Sequence, residues 1–273
     1  LSKVNTVSDL VAAMGKTAFG GRSVGEAAEV LELMVRNKKV FTVLTVSGAM
    51  TVAKQGLVIC DMIENDMVDA VVSTGALMAH GLIEAQGMTH FKYESTMKDE
   101  ELYDKGYDRV YDTLELESNL DDTELFVRPI LEGLDPKEPV SSYILTREIG
   151  RALKKQFPGR RSILGAAFEH DVPVYVPAFT DSELGLDFAL ANRRRRAAKK
   201  PTVTYDPTID LDHYTENVKK QKVLGIFTIG GGVPRNWAQQ VGPYLDIMEK
   251  RGVEGGDFKR FQYAVRICPE PVH

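Results

Sequence analysis

A chain of 273 residues that is 43% hydrophobic and 27% charged has an ordinary globular composition and enough length for a single α/β domain with a substantial core. The net charge of −5 argues against nucleic-acid binding and suits a cationic substrate held by local carboxylates. Two cysteines, Cys60 and Cys268, argue against a disulfide framework or a thiolate metal cluster, and with no bilayer-length apolar run or signal-peptide pattern the expected setting is the cytoplasm, away from membranes.

The first residue is Leu1 rather than Met, and the chain closes on Pro269-Glu270-Pro271-Val272-His273, which reads as trimming at both ends. Ser23 and Glu26 match a capping box, with Ala27, Val30, Leu31, Met34 and Val35 on one helical face behind it. Val40–Val46 is β-branched and apolar, the pattern of a strand buried on both faces. A helix over 51–65, a strand at 69–72 and a helix over 76–85 follow. This βαβα rhythm predicts a parallel sheet with right-handed crossovers.

Residues 89–132 break the rhythm with an acidic stretch. Tyr103, Tyr107 and Tyr111 fall at helical spacing there and read as an amphipathic face packed on the domain or on a partner subunit. Helices are predicted over 141–157 and from 162, then a strand at 173–179 and a helix over 182–192. The run Arg193-Arg194-Arg195-Arg196 could bind phosphate, but fits a helix C-terminus or a cross-interface pair better. A helix over 210–220, the strand Val223–Ile229, a helix over 234–249 and the strand Phe261–Ile267 complete the chain. With no internal repeat or linker, 1–273 reads as one Rossmann-like domain, a parallel sheet flanked by helices.

Four strand ends carry small or polar residues: Ser47-Gly48-Ala49, Ser73-Thr74-Gly75, Thr180-Asp181 and Gly230-Gly231-Gly232. Parallel sheets bind ligands at that edge, where helix N-termini and bare amides reach an anion. The triple glycine is either a cofactor cradle or simply a tight turn, since it is neither G-x-G-x-x-G nor a Walker loop. Asp181 suits a ribose or ammonium contact and equally an N-cap. The histidines His80, His90, His170, His213 and His273 show no metal-ligand spacing, so no metal is expected. His80, one turn past Thr74, is the one nearest the proposed crevice.

The chain resembles the deoxyhypusine synthase family along essentially its whole length. The resemblance rests on Ser47-Gly48-Ala49-Met50-Thr51, on Asn65-Asp66-Met67-Val68-Asp69 running on to Ser73-Thr74-Gly75, on Lys105-Gly106-Tyr107-Asp108-Arg109, on Pro177-Ala178-Phe179-Thr180-Asp181 and on Ile229-Gly230-Gly231-Gly232-Val233. It implies a Rossmann-like homotetramer with sites at dimer interfaces. It also implies NAD-dependent transfer of the butylamine part of spermidine, through an enzyme lysine, to a lysine of the hypusine-containing translation factor. By position it assigns Gly48, Ala49, Met50, Thr51, Ser73, Thr74, Gly75, Asp181, Gly230, Gly231, Pro269 and Glu270 to the cofactor, and His80, Asp187 and Asn236 to the substrate.

There are departures from the family pattern. Ala79-His80 stand where spermidine-using members carry two glutamates, Leu186 with Asp187 where they carry an aspartate, and Asn236 where they carry a histidine. The family's lysine motif would fall beyond His273. The sequence therefore matches the divergent, deoxyhypusine-synthase-like branch. A homospermidine-type synthase with a free diamine acceptor, or a non-catalytic polyamine or nucleotide binder, stands as the alternative.

Overall fold

The computed structural model describes residues 4–255 and 258–268. In chain order the elements are α1 (Val7–Met14), α2 (Phe19–Arg36), β1 (Val40–Val46), α3 (Gly56–Glu64), β2 (Ala70–Ser73), α4 (Gly75–Gln86), β3 (Phe91–Lys92), α5 (Asp99–Asp104), β4 (Tyr107–Val110) and β5 (Thr113–Leu116). Then come α6 (Glu117–Glu132), α7 (Ser142–Gln156), α8 (Ile163–Glu169), β6 (Val174–Tyr175), α9 (Glu183–Ala197), α10 (Thr208–Lys219), β7 (Val223–Ile229), α11 (Gly232–Gln239), α12 (Val241–Lys250) and β8 (Phe261–Ile267).

Five strands form one parallel sheet in the order β6-β2-β1-β7-β8. The chain builds outward from β1 to β2 and β6, then returns to the other side of β1 for β7 and β8. The topology therefore reverses between β1 and β7, which is where open α/β sheets form their ligand crevice. The carboxyl ends are level, since Val46 pairs with both Ser73 and Ile229, and Ile229 with Ile267.

Period-two alternation divides the core between the faces. Leu44, Val46 and Val71 pack with Ile59, Ile63, Leu77, Leu82 and Ile149 on one side. Val43, Ala70, Val72 and Ile226 pack with Tyr214, Ala238, Val241 and Leu245 of α10, α11 and α12 on the other. Among the described residues no helix is long and apolar enough to cross a membrane.

Several sequence expectations are corrected. Ser23 and Glu26 lie inside α2; the capping box is Thr6 with Asp9, at the start of α1. Tyr103, Tyr107 and Tyr111 share no helix, since they sit on α5, on β4 and in the turn after it, within a small antiparallel sheet of order β3-β5-β4. The strand expected at 173–179 stops at Tyr175, because the Val176 amide donates to Ser142 Oγ at 2.7 Å and Pro177 has no amide to give. The helix expected over 51–65 starts only at Gly56, after a turn with Lys54 at φ 61°. The helix expected over 234–249 divides into α11 and α12, as Pro243 cannot bond back to Gln239.

The helix expected over 182–192 extends to Ala197, which places the arginine run in its last turns. Arg195 donates to the carbonyls of Glu132 (2.9 Å) and Leu134 (2.7 Å), and Arg194 pairs with Glu124 at 2.7 Å. The run does neutralise a helix C-terminus, but that of α6 rather than its own.

Candidate functional site

At the switch point the turns after β1 and β7 are bonded to each other. The Gly231 amide donates to Ser47 Oγ at 3.0 Å, and Ser47 N donates to the Ile229 carbonyl at 3.1 Å. Gly230 holds φ 84°, and a Cβ there would lie 2.0 Å from Ser47 Oγ, so the turn admits only glycine. The Gly230 amide continues to the Ile267 carbonyl at 2.7 Å, and Arg266 Nε donates to the Gly230 carbonyl at 2.9 Å. On the other side, Thr74 Oγ1 donates to the Gly48 carbonyl at 2.8 Å and caps α4 by accepting from Leu77 N at 3.2 Å. Gly75 lies against Ser182, the N-cap of α9 that follows Asp181.

An unbroken chain of contacts thus runs from Ser182 through Gly75, Thr74, Gly48, Ser47 and Gly231 to Arg266. Two helix N-termini, α4 and α11, open on this rim, and α11 has no side-chain cap. The two helix ends and the Arg266 guanidinium beside Gly230 give this edge the positive character that suits an anion.

The expected site residues divide into three groups. Gly48, Thr74, Gly75, Gly230 and Gly231 form the rim, with exposed Asp181 immediately before Ser182. Ala49 and Met50 belong to the turn after Gly48. Thr51 and Ser73 are turned inward, their hydroxyls donating to the carbonyls of Leu77 (2.9 Å) and Thr74 (3.2 Å). Pro269 and Glu270 lie outside the described residues. His80, Asp187 and Asn236 sit on α4, α9 and α11, and no hydrogen bond joins any two of them among the described residues.

Asp187 is 3% exposed and neither carboxylate oxygen has a hydrogen-bond partner. Burial, then the charges of Glu183 and Glu124, push it up to about 7, against the lowering pull of Arg194 and Arg128. His80 turns to Glu115 on β5, with Nδ1 at 3.0 Å from Oε2. Burial raises Glu115, but hydrogen bonds from His80 and His90 outweigh it and hold this acid at about 2. Ser182 and Arg266 were missed in the sequence. Ser182 follows Asp181 and reads only as a helix cap, and Arg266 falls on a strand where nothing but the sheet order reveals the glycine turn beside it.

The deoxyhypusine synthase family profile matches residues 9–273. This chain belongs to the deoxyhypusine synthase family. A Methanosarcina acetivorans relative named "Probable deoxyhypusine synthase 2" is 31% identical, over 99% of this chain and 75% of that protein. A "Deoxyhypusine synthase-like protein" from Chlorobaculum parvum is 32% identical over 98% and 74%, and one from Elusimicrobium minutum 30% over 98% and 69%. The crystal structure of a deoxyhypusine synthase candidate from Entamoeba histolytica superposes with a TM-score of 0.62 at 16% identity, covering 85% of this chain and 78% of that one. That likeness supports the fold. The family is one of transferases, so the deoxyhypusine synthase assignment and the rim at the β1–β7 switch point now bear on a single question.

Proposed function

We propose that this chain is an NAD-dependent aminobutyl transferase that moves the butylamine part of spermidine to a lysine of the hypusine-containing translation factor. Family membership supports the transfer chemistry in general. The cofactor reading is carried by the rim at the β1–β7 switch point, where Ser47, Gly48, Thr74, Gly75, Gly230 and Gly231 meet. These residues fit a dinucleotide. The turn at Gly230 excludes a side chain, α4 and α11 aim their N-termini at the same edge, and the Arg266 guanidinium lies beside Gly230.

When bound, NAD⁺ supplies the hydride acceptor for oxidising an amine carbon. The chain's own residues bind and orient. The ends of α4 and α11, with Arg266, would hold the pyrophosphate, and Asp181 would accept from ribose hydroxyls. Asp187 supports a cationic substrate, since an ammonium group placed beside it would return its near-neutral carboxyl to the charged form. A homotetramer acting in the cytoplasm belongs to the same reading.

The imidazole at His80, in the place of an acid, favours a second acceptor: a free diamine, as in homospermidine-type synthesis. Full-length protein, NAD and spermidine are incubated with either the translation factor or putrescine, and the products weighed. Mass added to the factor supports the first reading. Mass appearing only in small amines selects the second. Neither product, from folded protein that binds NAD, would leave a non-catalytic binder.

A further inference from the structure

On the side of α4 that meets the small antiparallel sheet, three side chains distant in sequence share one point. His80 Nδ1 lies 3.0 Å and His90 Nε2 2.8 Å from the same oxygen, Glu115 Oε2. The three donor atoms all fall within 4.8 Å of one another. The His90 and Glu115 side chains are 0% and 1% exposed, and that of His80 is 20% exposed. The second carboxylate oxygen, Glu115 Oε1, is buried and has no hydrogen-bond partner.

Behind this trio, Lys54 Nζ lies 3.1 Å and Glu84 Oε1 3.5 Å from His90 Nδ1, and Lys54 and Glu84 pair with each other. Lys54 therefore cancels Glu84. Both imidazoles reach the same oxygen, Oε2, and leave Oε1 bare, and a buried carboxylate oxygen without a partner is costly. A metal cation supplies positive charge and also takes up the carboxylate lone pairs.

We propose that His80, His90 and Glu115 form a binding site for a divalent transition-metal ion of the zinc class. His80 Nδ1, His90 Nε2 and the Glu115 carboxylate are its three protein ligands, and the partly exposed side at His80 is left for a fourth. Two nitrogens and one oxygen suit zinc, cobalt or nickel and not magnesium or calcium. Ligand atoms on a tetrahedral ion at ~2.05 Å are about 3.3 Å apart, so each imidazole has to draw back from Glu115 Oε2 by only a few tenths of an ångström, with the two imidazole nitrogens within 4.8 Å of each other. Beyond the far nitrogen of His90 stand Lys54, at 3.1 Å, and Glu84, at 3.5 Å, so Glu84 becomes the outer carboxylate of a metal-bound His90 once Lys54 yields that nitrogen. The ligands come from α4, the turn before β3, and β5, which is why sequence spacing did not show them. The site shares His80 with the position that the family resemblance assigns to the substrate, and metal binding is read without any aminobutyl transfer.

The test uses the intact protein, stripped with chelator and then titrated with Zn²⁺ and, separately, Co²⁺, with Mg²⁺ as control. One equivalent of Zn²⁺ per chain is expected to survive gel filtration, and bound Co²⁺ to show the visible absorption of a tetrahedral site. His80→Gln, at the partly exposed ligand, is expected to weaken Zn²⁺ by more than ~100-fold, and Glu84→Gln by about 10- to 100-fold. Circular dichroism checks that each variant is folded; should Glu115→Gln not fold, His80→Gln carries the test. Less than a tenth of an equivalent on folded wild type, or equal affinity in wild type and His80→Gln, overturns the site.

Discussion

Ser47 Oγ accepts the Gly231 amide at 3.0 Å and so joins the turn after β1 to the turn after β7, 184 positions away in sequence. The same hydroxyl donates to the Ile229 carbonyl at 3.3 Å. One side chain therefore sets the shape of the switch-point crevice. Ser47→Ala leaves the Gly231 amide unpaired, at a cost of about 1 kcal/mol for a partly buried bond. A Tm lower by about 2–4 °C is expected, together with NAD affinity weaker by about fivefold. Thermal denaturation and calorimetric titration measure both. Wild-type values for both would show that the bond does not organise the turn.

Gly75 and Ser182 join the other end of the rim. A Cβ at Gly75 would lie 2.2 Å from Ser182 Oγ and 2.3 Å from Ser182 Cβ. Gly75→Ala forces the first turn of α4 and the cap of α9 apart and is expected to cost about 1–3 kcal/mol. Ser182→Gly removes the clashing atoms, while glycine as an N-cap costs only a few tenths of a kcal/mol. The double variant is thus expected to be more stable than Gly75→Ala alone. Urea midpoints for the four proteins decide this, and a double variant worse than either single one would contradict the packing described.

Asp187 sets a pH dependence with a definite sign. Its folded value of about 7 stands above the ordinary carboxylate range because of burial. Between about pH 4 and pH 7 the folded chain holds a proton that the unfolded chain has released, so stability falls as pH rises through that window and levels off above it. Asp187→Asn removes this term. The variant is expected to match wild type near pH 4 and to exceed it in urea midpoint at pH 8. Parallel midpoint curves for the two proteins would contradict the raised value.

Glu115 works in the opposite direction. Its value of about 2 is depressed by His80 and His90 against the raising effect of burial, so its stabilisation is complete above about pH 5 and is lost as pH falls towards 2. Glu115→Gln is expected to lower the urea midpoint at pH 7 and to flatten the acid limb of the stability curve. An unchanged acid limb would mean that the histidines do not hold this carboxylate.

The long strands β1, β7 and β8 were legible in the sequence because β-branched and apolar runs with turn residues at both ends admit little else. The glycine turn at 230–232 and the Thr74 cap were legible for the same local reason. What failed was non-local. Val174–Tyr175 makes a short strand because Ser142, from another helix, takes the Val176 amide. The tyrosine spacing at 103, 107 and 111 looked helical, but Tyr103 ends on α5, Tyr107 on the edge strand β4 of the antiparallel sheet and Tyr111 in the turn to its partner β5. The meeting of His80 with His90 and Glu115 depends on that same small sheet, and no window of the sequence contains all three.

Titration of NAD⁺ into wild type and Gly231→Ala, followed by calorimetry, tests the rim most directly. A methyl group at Gly231 meets only the far end of Arg266, at 2.8 Å, so the fold is retained while the cofactor's approach to the backbone is blocked. Saturable binding of one NAD⁺ per wild-type chain is expected, with affinity at least ~10-fold weaker in the variant. No saturable heat with wild type, or equal affinity in the two proteins, would place the cofactor elsewhere or remove it.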